Sequence, residues 1–409
     1  MFPVIVLFLV FILTAVRRVG RFRFEIWQVM CAGAAAVLLG GGIGPGEALR
    51  SIDPDVIIFL GGMFVAGRTL ELSGWLAHAE YEIFKRARTE EGLLLVLVFF
   101  MGTASALLMN DTLAIIGTPV VLLLSRKHGI APKALLLALA FSITVGSVMS
   151  PIGNPQNLLV AVRGEVPSPF LTFFSRLAVP TFVNLSAVFL LVRWFYREEF
   201  SRCPLRHSQE PIRDKALARL AKVTALVLAL AISAKAFMAL LVPAMDFSLV
   251  WIALAAAAPG LLLSPRRHEI LRGIDWTTLA FFSAMFVLMR AVWNTGFFQD
   301  LLSASGAEIS AVGTVLAVSL ALSQFISNVP MAALYLPLLL RSGAETGALM
   351  ALAAGSTIAG NAFILGAASN VIIIQNAEKR GETLTFAEFA RIGVPLTAVN
   401  AAVYWLFLR

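Results

Sequence analysis

The sequence predicts an all-α polytopic membrane protein with ten transmembrane spans and two re-entrant hairpins, in two inverted repeats with broken helices at the midplane. Three observations favour this class. Hydrophobic residues make up 59% and charged residues 14% of the 409 positions, far from the composition of a soluble domain. Apolar segments close to the roughly 20 residues that span a bilayer recur along nearly the whole chain. Arginines and lysines are concentrated in the connections between those segments.

The positive charges indicate which connections face the cytoplasm. The net charge is +8, and its clusters, such as Arg17–Arg23, Lys85–Arg88 and the long Arg193–Lys222 stretch, all lie between apolar segments. The positive-inside rule therefore places them on the cytoplasmic side. This explanation of the charge disfavours nucleic-acid binding. It predicts a multi-pass protein of the inner (plasma) membrane whose N- and C-termini both lie outside, in the periplasm.

Ten spans follow from this topology, at 2–16, 27–43, 55–79, 133–162, 168–192, 217–242, 247–263, 276–296, 345–376 and 390–408. The first is predicted to be a retained span, because no positive residue precedes it and no small-residue cleavage site follows it.

Two apolar regions do not fit as spans. Residues 92–124 have basic connections on both sides, and residues 309–340 begin and end in connections assigned outside. We predict that both are re-entrant hairpins, with polar tips at Asn110-Asp111-Thr112 and at Ser327-Asn328-Val329-Pro330. Non-helical backbone at membrane depth is tolerated only where protein or a water-filled cavity satisfies it. The tips are therefore expected to line a site.

An internal repeat relates the two halves of the chain. Residues 52–74 align without a gap with residues 274–296, and the matches continue with Asn110 and Asn328, Thr144 and Thr357, Gly153 and Gly366, and Asn157 and Asn370. We predict a first repeat at 1–192 with the broken span 133–162, a basic cytoplasmic linker at 193–216, and a second repeat at 217–409 with the broken span 345–376. Five spans in each half give the halves opposite orientation, the inverted plan of secondary transporters.

The candidate site residues are polar side chains at the hairpin tips and span breaks. The predicted substrate-binding residues are Asn110, Thr112, Asn154, Asn157, Ser327, Asn328, Thr357, Ser369 and Asn370. For the asparagines, capping of half-helices is an alternative role that is compatible with ligand binding.

Asp111 is predicted to couple transport to protons, since an ionisable group at membrane depth is costly and Val329 replaces it in the second repeat. Its alternative role is to cap the returning half-helix.

Arg68 and Arg290 occupy matched positions in mid-span. For Arg68, pairing with Glu71 one turn away is as consistent with the sequence as contact with substrate. No cofactor and no metal site are predicted, because the four histidines lie at span ends or in loops and the two cysteines lie far apart. The chain also lacks a nucleophile and base pair that would indicate an enzyme.

The motifs "MNDTLAIIGTPVVLLL", "PIGNPQN", "GAASN" and "GGMFVAGRTLELSGWL" resemble those of the ion transporter superfamily, over nearly the whole chain. That superfamily includes arsenite exporters, sodium/proton antiporters and divalent-anion/sodium symporters. The first hairpin is most similar to the arsenite exporters, and on that resemblance Asn110, Asp111, Thr118 and Pro119 correspond to exporter positions. The second tip departs from them, because it carries Ser327-Asn328 where exporters have paired asparagines.

The resemblance implies proton-coupled export of arsenite and antimonite. A neutral trihydroxide suits a site of Asn, Ser, Thr and backbone groups, and none of the breaks carries Lys or Arg. The alternatives are a sodium- or proton-coupled anion or dicarboxylate transporter, a sodium/proton antiporter, and the membrane subunit of an ATP-driven arsenite pump. The expected partners are a small metalloid or anion, protons or sodium, and the lipid bilayer, together with a cytoplasmic ATPase in the pump alternative and a second copy of the chain as a homodimer.

Overall fold

The structure, a computed structural model, describes residues 1–16, 18–19, 22–200, 205, 215–241, 249–297, 300, 309–326 and 328–409. Within these ranges the chain is helical apart from a short antiparallel ribbon, in which β1 (Arg18–Val19) pairs with β2 (Phe22–Arg23). The predicted all-α class therefore holds for the described chain except at this ribbon.

The helices of the first half run from the N-terminus to the basic linker. They are α1 (Phe2–Val16), α2 (Ile26–Leu39), α3 (Pro45–Ser51), α4 (Pro54–Leu72), α5 (Trp75–Phe84), α6 (Glu90–Leu108), α7 (Asn110–His128), α8 (Pro132–Ser147), α9 (Pro155–Arg163) and α10 (Pro169–Phe195).

The helices of the second half follow in a similar order along the chain. They are α11 (Lys215–Leu241), α12 (Leu249–Ala258), α13 (Arg267–Arg272), α14 (Trp276–Trp293), α15 (Val312–Ile326), α16 (Asn328–Arg341), α17 (Thr346–Ile358), α18 (Ala368–Glu378) and α19 (Phe386–Leu408). A π-helical turn (Pro259–Leu263) continues α12, and two 3₁₀ turns (Ala359–Asn361 and Ile364–Gly366) lie between α17 and α18.

Four of the described helices are long and apolar enough to cross a membrane by length and composition, namely α6, α10, α14 and α19. The count of ten spans stays a prediction. One predicted span is wrong as drawn: residues 55–79 are divided between α4 and α5, because Gly74 adopts a left-handed φ of 77° that ends the first helix. The linker at 193–216 stays a prediction, and α10 continues to Phe195, three residues into it.

Each predicted hairpin contains two helices. In the first, α6 and α7 have 19 residues each and are separated only by Met109, whose φ of 61° lies in the left-handed region. The predicted tip at Asn110-Asp111-Thr112 is therefore displaced by one residue, and the triplet forms the first turn of α7. In the second, α15 and α16 flank Ser327, which lies outside the described residues.

The repeat is visible in local structure as well as in sequence. Asp53 caps α4 by accepting hydrogen bonds from the backbone of Asp55 (2.9 Å) and Val56, and Asp275 caps α14 by accepting from Thr278 (3.0 Å). The register also extends upstream of the aligned region, where "EALRSID" at 47–53 matches "EILRGID" at 269–275. The short helices α3 and α13 are therefore equivalent elements.

The helix contacts are reciprocal between the halves. Helix α4 packs against α12 while its mate α14 packs against α2, and α7 packs against α18 while its mate α16 packs against α9. The two long C-terminal helices, α10 and α19, pack against each other. The halves are thus interleaved rather than set side by side.

The broken spans lie at the centre of the protein. Every residue from Ala134 to Ser147 in α8 and from Ala348 to Ile358 in α17 is buried. Helix α8 approaches α6 backbone to backbone: a Cβ added at Gly146 would lie 1.9 Å from the carbonyl oxygen of Gly102. Only glycine allows this contact.

Candidate substrate and ion site

The first break, between α8 and α9, is closed by two asparagines. The Nδ2 group of Asn157 lies 3.1 Å from the carbonyl oxygens of Ser147 and Val148 and 2.9 Å from that of Ser150. The Asn154 side chain caps α9 by accepting a hydrogen bond from the Asn157 backbone N–H at 2.8 Å. Side chains thus satisfy carbonyl and amide groups that the break removes from helical pairing.

The first hairpin docks on this break. The backbone N–H of Asn110, the first residue of α7, donates to the carbonyl oxygen of Gly153 at 3.0 Å. Gly153 is required there, because a Cβ would lie 2.1 Å from the Ser147 carbonyl oxygen. The Asn110 side chain is buried, and its Oδ1 has no hydrogen-bond partner among the residues that the structure describes. The hairpin tip and the first break are therefore in direct contact and form one polar region.

The two halves meet at Thr357. Its hydroxyl accepts hydrogen bonds from Nδ2 of Asn154 at 3.1 Å and Nε2 of Gln156 at 3.3 Å, and it lies 3.2 Å from Oδ1 of Asn157. The same hydroxyl donates within its own helix to the Ala353 carbonyl oxygen at 2.8 Å. The contacts bring three of the predicted residues together and add Gln156.

The second break, between α17 and α18, is closed by fewer bonds. Asn370 donates through Nδ2 to the Gly360 carbonyl oxygen at 2.6 Å, ten residues back, as Asn157 does to Ser147. Gln324 of α15 donates to the Ala359 carbonyl oxygen at 2.8 Å. The second hairpin is therefore also tied to the break of its own half.

Oxygen atoms without partners gather around the second half of the site. Fully buried side-chain oxygens that form no hydrogen bond among the described residues are Oγ of Ser323, Oε1 of Gln324, Oδ1 of Asn328, Oδ1 of Asn361, Oγ of Ser369 and Oδ1 of Asn370. Buried polar groups normally have partners, so such a set indicates a place for a bound species. Ser369, Asn370 and Asn328 are predicted site residues, whereas Gln324 and Asn361 are not.

Asp111 and Thr112 lie in the first turn of α7. Thr112 is buried and Asp111 partly buried. Among the described residues the Asp111 carboxylate forms no ion pair and accepts no hydrogen bond. The carboxyl group thus lies at the start of α7 without a charge partner in the described part of the chain.

The matched arginines of α4 and α14, Arg68 and Arg290, form ion pairs outside this region. Arg68 pairs with Glu71 at 2.8 Å, as the alternative role predicts, and Arg380 pairs with the same carboxylate at 2.9 Å. Arg290 pairs with Glu47 of α3 at 3.0 Å. The residues of the two breaks, 148–154 and 359–367, carry no charged side chain. The candidate site is thus polar and uncharged except at Asp111.

Broken helices that meet at a buried polar centre are typical of membrane transporters. The profile of CitMHS, described as citrate transporter, matches residues 6–349. The chain therefore belongs to the CitMHS citrate transporter family, within the ion transporter superfamily, and is a transporter rather than an enzyme.

Curated relatives agree with this class. An uncharacterized transporter of Mycobacterium tuberculosis is 31% identical over 94% of each chain, and a 46 kDa membrane protein of Mycobacterium leprae is 30% identical over 87% of this chain and 86% of its own. The human P protein is 24% identical over 93% of this chain, which spans 56% of that longer protein.

Among solved structures, the crystal structure of the Alcanivorax borkumensis YdaH transporter shares the fold. Its TM-score is 0.50 at 15% sequence identity, and the match covers 100% of this chain and 96% of that chain.

Proposed function

We propose that the chain is a proton-coupled secondary transporter of a small hydroxycarboxylate anion, with its site between the two breaks. The observation that carries the proposal is the meeting of the halves at Thr357, next to uncommitted buried oxygens. These oxygens accept hydrogen bonds from substrate hydroxyls or coordinate a cation. The N-termini of α9 and α18 supply the partial positive charge that a carboxylate needs. The description of the family as citrate transporter supports this substrate class.

The reciprocal helix contacts support the inverted arrangement of the repeats. In an inverted-repeat transporter, each half alternately opens the site to one face. The tip of the first hairpin is hydrogen-bonded to Gly153 of the first break, and Gln324 of the second hairpin is hydrogen-bonded to Ala359 of the second break. In each half, one hairpin therefore contacts one break. In this proposal Asp111 takes a proton from one face and releases it to the other.

Export of arsenite and antimonite is a second candidate, favoured by a different feature of the site. Arsenous acid is a neutral trihydroxide, and its three hydroxyls would donate to uncommitted oxygens without requiring a cation. The absence of Lys and Arg from both breaks is compatible with such a substrate.

The test is transport by the purified protein in proteoliposomes under imposed gradients. Accumulation of labelled citrate driven by a proton gradient, with no effect of sodium, is the expected result. Proton-driven movement of arsenite without citrate movement would replace the first candidate by the second. Movement driven by sodium alone would remove protons from the coupling role.

Asp111→Asn tests the coupling residue. Because this variant keeps the size of the side chain but cannot ionise, we expect proton-driven accumulation to be abolished. Exchange of labelled for unlabelled substrate at equilibrium needs no net proton movement and should persist, which controls for folding. Unchanged accumulation would contradict the role given to Asp111.

A further inference from the structure

A mainly apolar cavity with three charged side chains in its wall lies apart from the breaks. It has a volume of about 710 Å³ and is bounded by α3, α14 and Ala333 of α16. Its charged lining residues are Glu47, Arg50 and Arg290, and Trp293 and Ser51 also line it. Among the described residues of the lining, two arginines and one glutamate give an excess of one positive charge. The cavity lies beside α16, the helix that begins at the proposed site residue Asn328.

Glu47 forms an ion pair with Arg290, one of the two arginines of the cavity. Its Oε1 accepts from Nε of Arg290 at 3.0 Å and from Nδ2 of Asn294 at 2.9 Å. The Arg290 and Glu47 side chains are 50% and 41% exposed, so the pair faces the solvent in the cavity. An exposed ion pair contributes little stability and is open to competition by another carboxylate.

The other half of the repeat contains the equivalent helices, but the residues equivalent to Glu47 and Arg290 do not form the same ion pair there. Glu269 and Arg68 are the mates of Glu47 and Arg290, but Glu269 pairs with Arg266 at 2.5 Å while Arg68 pairs with Glu71. Since the mate of Glu71 is Trp293, Arg290 has no such alternative carboxylate on its own helix.

In the second half of the chain, the position equivalent to this cavity is filled by packed residues. A Cβ at Gly273 would lie 2.3 Å from Nε of Arg68, so α13 packs directly on that arginine. At the equivalent place on the other side, Ser51 lines the open cavity. The same structural element is thus packed shut in one half and open to solvent in the other.

We propose that this cavity is a docking site for a carboxylate anion, in which the anion displaces Glu47 from Arg290 and is held also by Arg50. In the free protein, the Glu47 carboxylate occupies Arg290 and therefore competes with the anion. The anion enters from the open side of the cavity. The choice of a carboxylate rests on the proposed function, but binding can be measured without transport.

The test follows the fluorescence of Trp293 in the purified protein. Citrate should change the emission saturably, whereas sucrose at equal osmolarity should not, and Trp293→Phe should remove the change. Arg290→Ala should weaken binding by about tenfold, as expected for loss of a direct charge partner. Glu47→Gln should tighten it by about fivefold, the scale of one exposed ion pair. Arg272→Ala, at the mate of Arg50 on the closed side, should leave binding unchanged.

The outcomes separate this site from the transport function. If Trp293 emission does not respond to citrate while citrate is transported, the docking site is wrong and the transport function stands. If Trp293 responds saturably while no citrate is transported, the docking site stands and the substrate of the transport function is wrong. A Glu47→Gln variant that binds citrate no more tightly than the unmodified protein would contradict the competition.

Discussion

The two broken spans are matched in sequence and differ in how completely they are closed. In the first, Asn157 spans three carbonyl oxygens and Asn154 caps the following helix. In the second, Asn370 reaches one carbonyl oxygen, and its Oδ1 has no partner in the part of the chain that the structure describes. A break that is satisfied by its own side chains is a rigid support. In the proposed function, the unpaired oxygens of the second break are the groups that bind the substrate.

The largest expected difference lies between the two matched asparagines. Asn157→Ala removes the two N–H donors that three buried carbonyl oxygens share, so we expect it to lower the free energy of unfolding by about 3–5 kcal/mol. Asn370→Ala removes one such bond and should cost about 1–3 kcal/mol. Thermal unfolding of both variants in the same detergent measures the difference.

The transport activity per folded molecule should fall more in Asn370→Ala than in Asn157→Ala, which is the opposite of the order expected for stability. Asn370→Ala is expected to lose substrate binding, seen as a raised KM, because its uncommitted oxygen belongs to the proposed site. Equal loss of stability in both variants would show that the two breaks are equally closed, and would end the comparison.

A smaller effect is expected at the matched threonines. Thr357→Val removes the hydroxyl that accepts from Asn154 and Gln156, which should cost about 1–2 kcal/mol and reduce transport. Thr144→Val is the matched control, since the Thr144 hydroxyl donates only to Ala140 of its own helix, at 2.8 Å. The pair is compared by unfolding and by transport rate. Indistinguishable variants would mean that the contact between the halves has no role.

The smallest effect is expected at Glu47. Hydrogen bonds from Asn294 and Arg290 hold the pKa of this carboxyl below its usual value. The carboxylate is therefore ionised above its usual pKa, and its pairing is lost only as the pH falls through the lowered value. We expect the difference in citrate affinity between Glu47→Gln and the unmodified protein to stay constant from about pH 5.5 to 8. A difference that disappears below about pH 6.5 would contradict this.

Sequence reasoning named Asn157 and Asn370 because the repeat matches them, and it did not name Gln324 or Asn361. Asn157 and Asn370 are matched residues, and the structure places both in equivalent bonds. Gln324 and Asn361 align with Ala106 and Val148, so a search for matched polar positions passes over them. Their importance depends on the packing of α15 against the second break, which residue types do not encode.

The exact position of the hairpin tip was also beyond the sequence. The polar triplet at 110–112 predicts a turn by composition, but the left-handed residue is the apolar Met109. A bulky residue rarely adopts that conformation. Here the docking of Asn110 on Gly153 fixes it, a tertiary contact between segments that are far apart in the chain.

The glycine contact between α6 and α8 has a practical consequence for watching this transporter move. Because Gly102 and Gly146 meet without intervening side chains, separating the two helices would open a void between them. We therefore expect spin labels placed on these helices to report a constant separation throughout the transport cycle. The distance between α6 and α8 would then serve as an internal reference for measuring the displacement of the other helices.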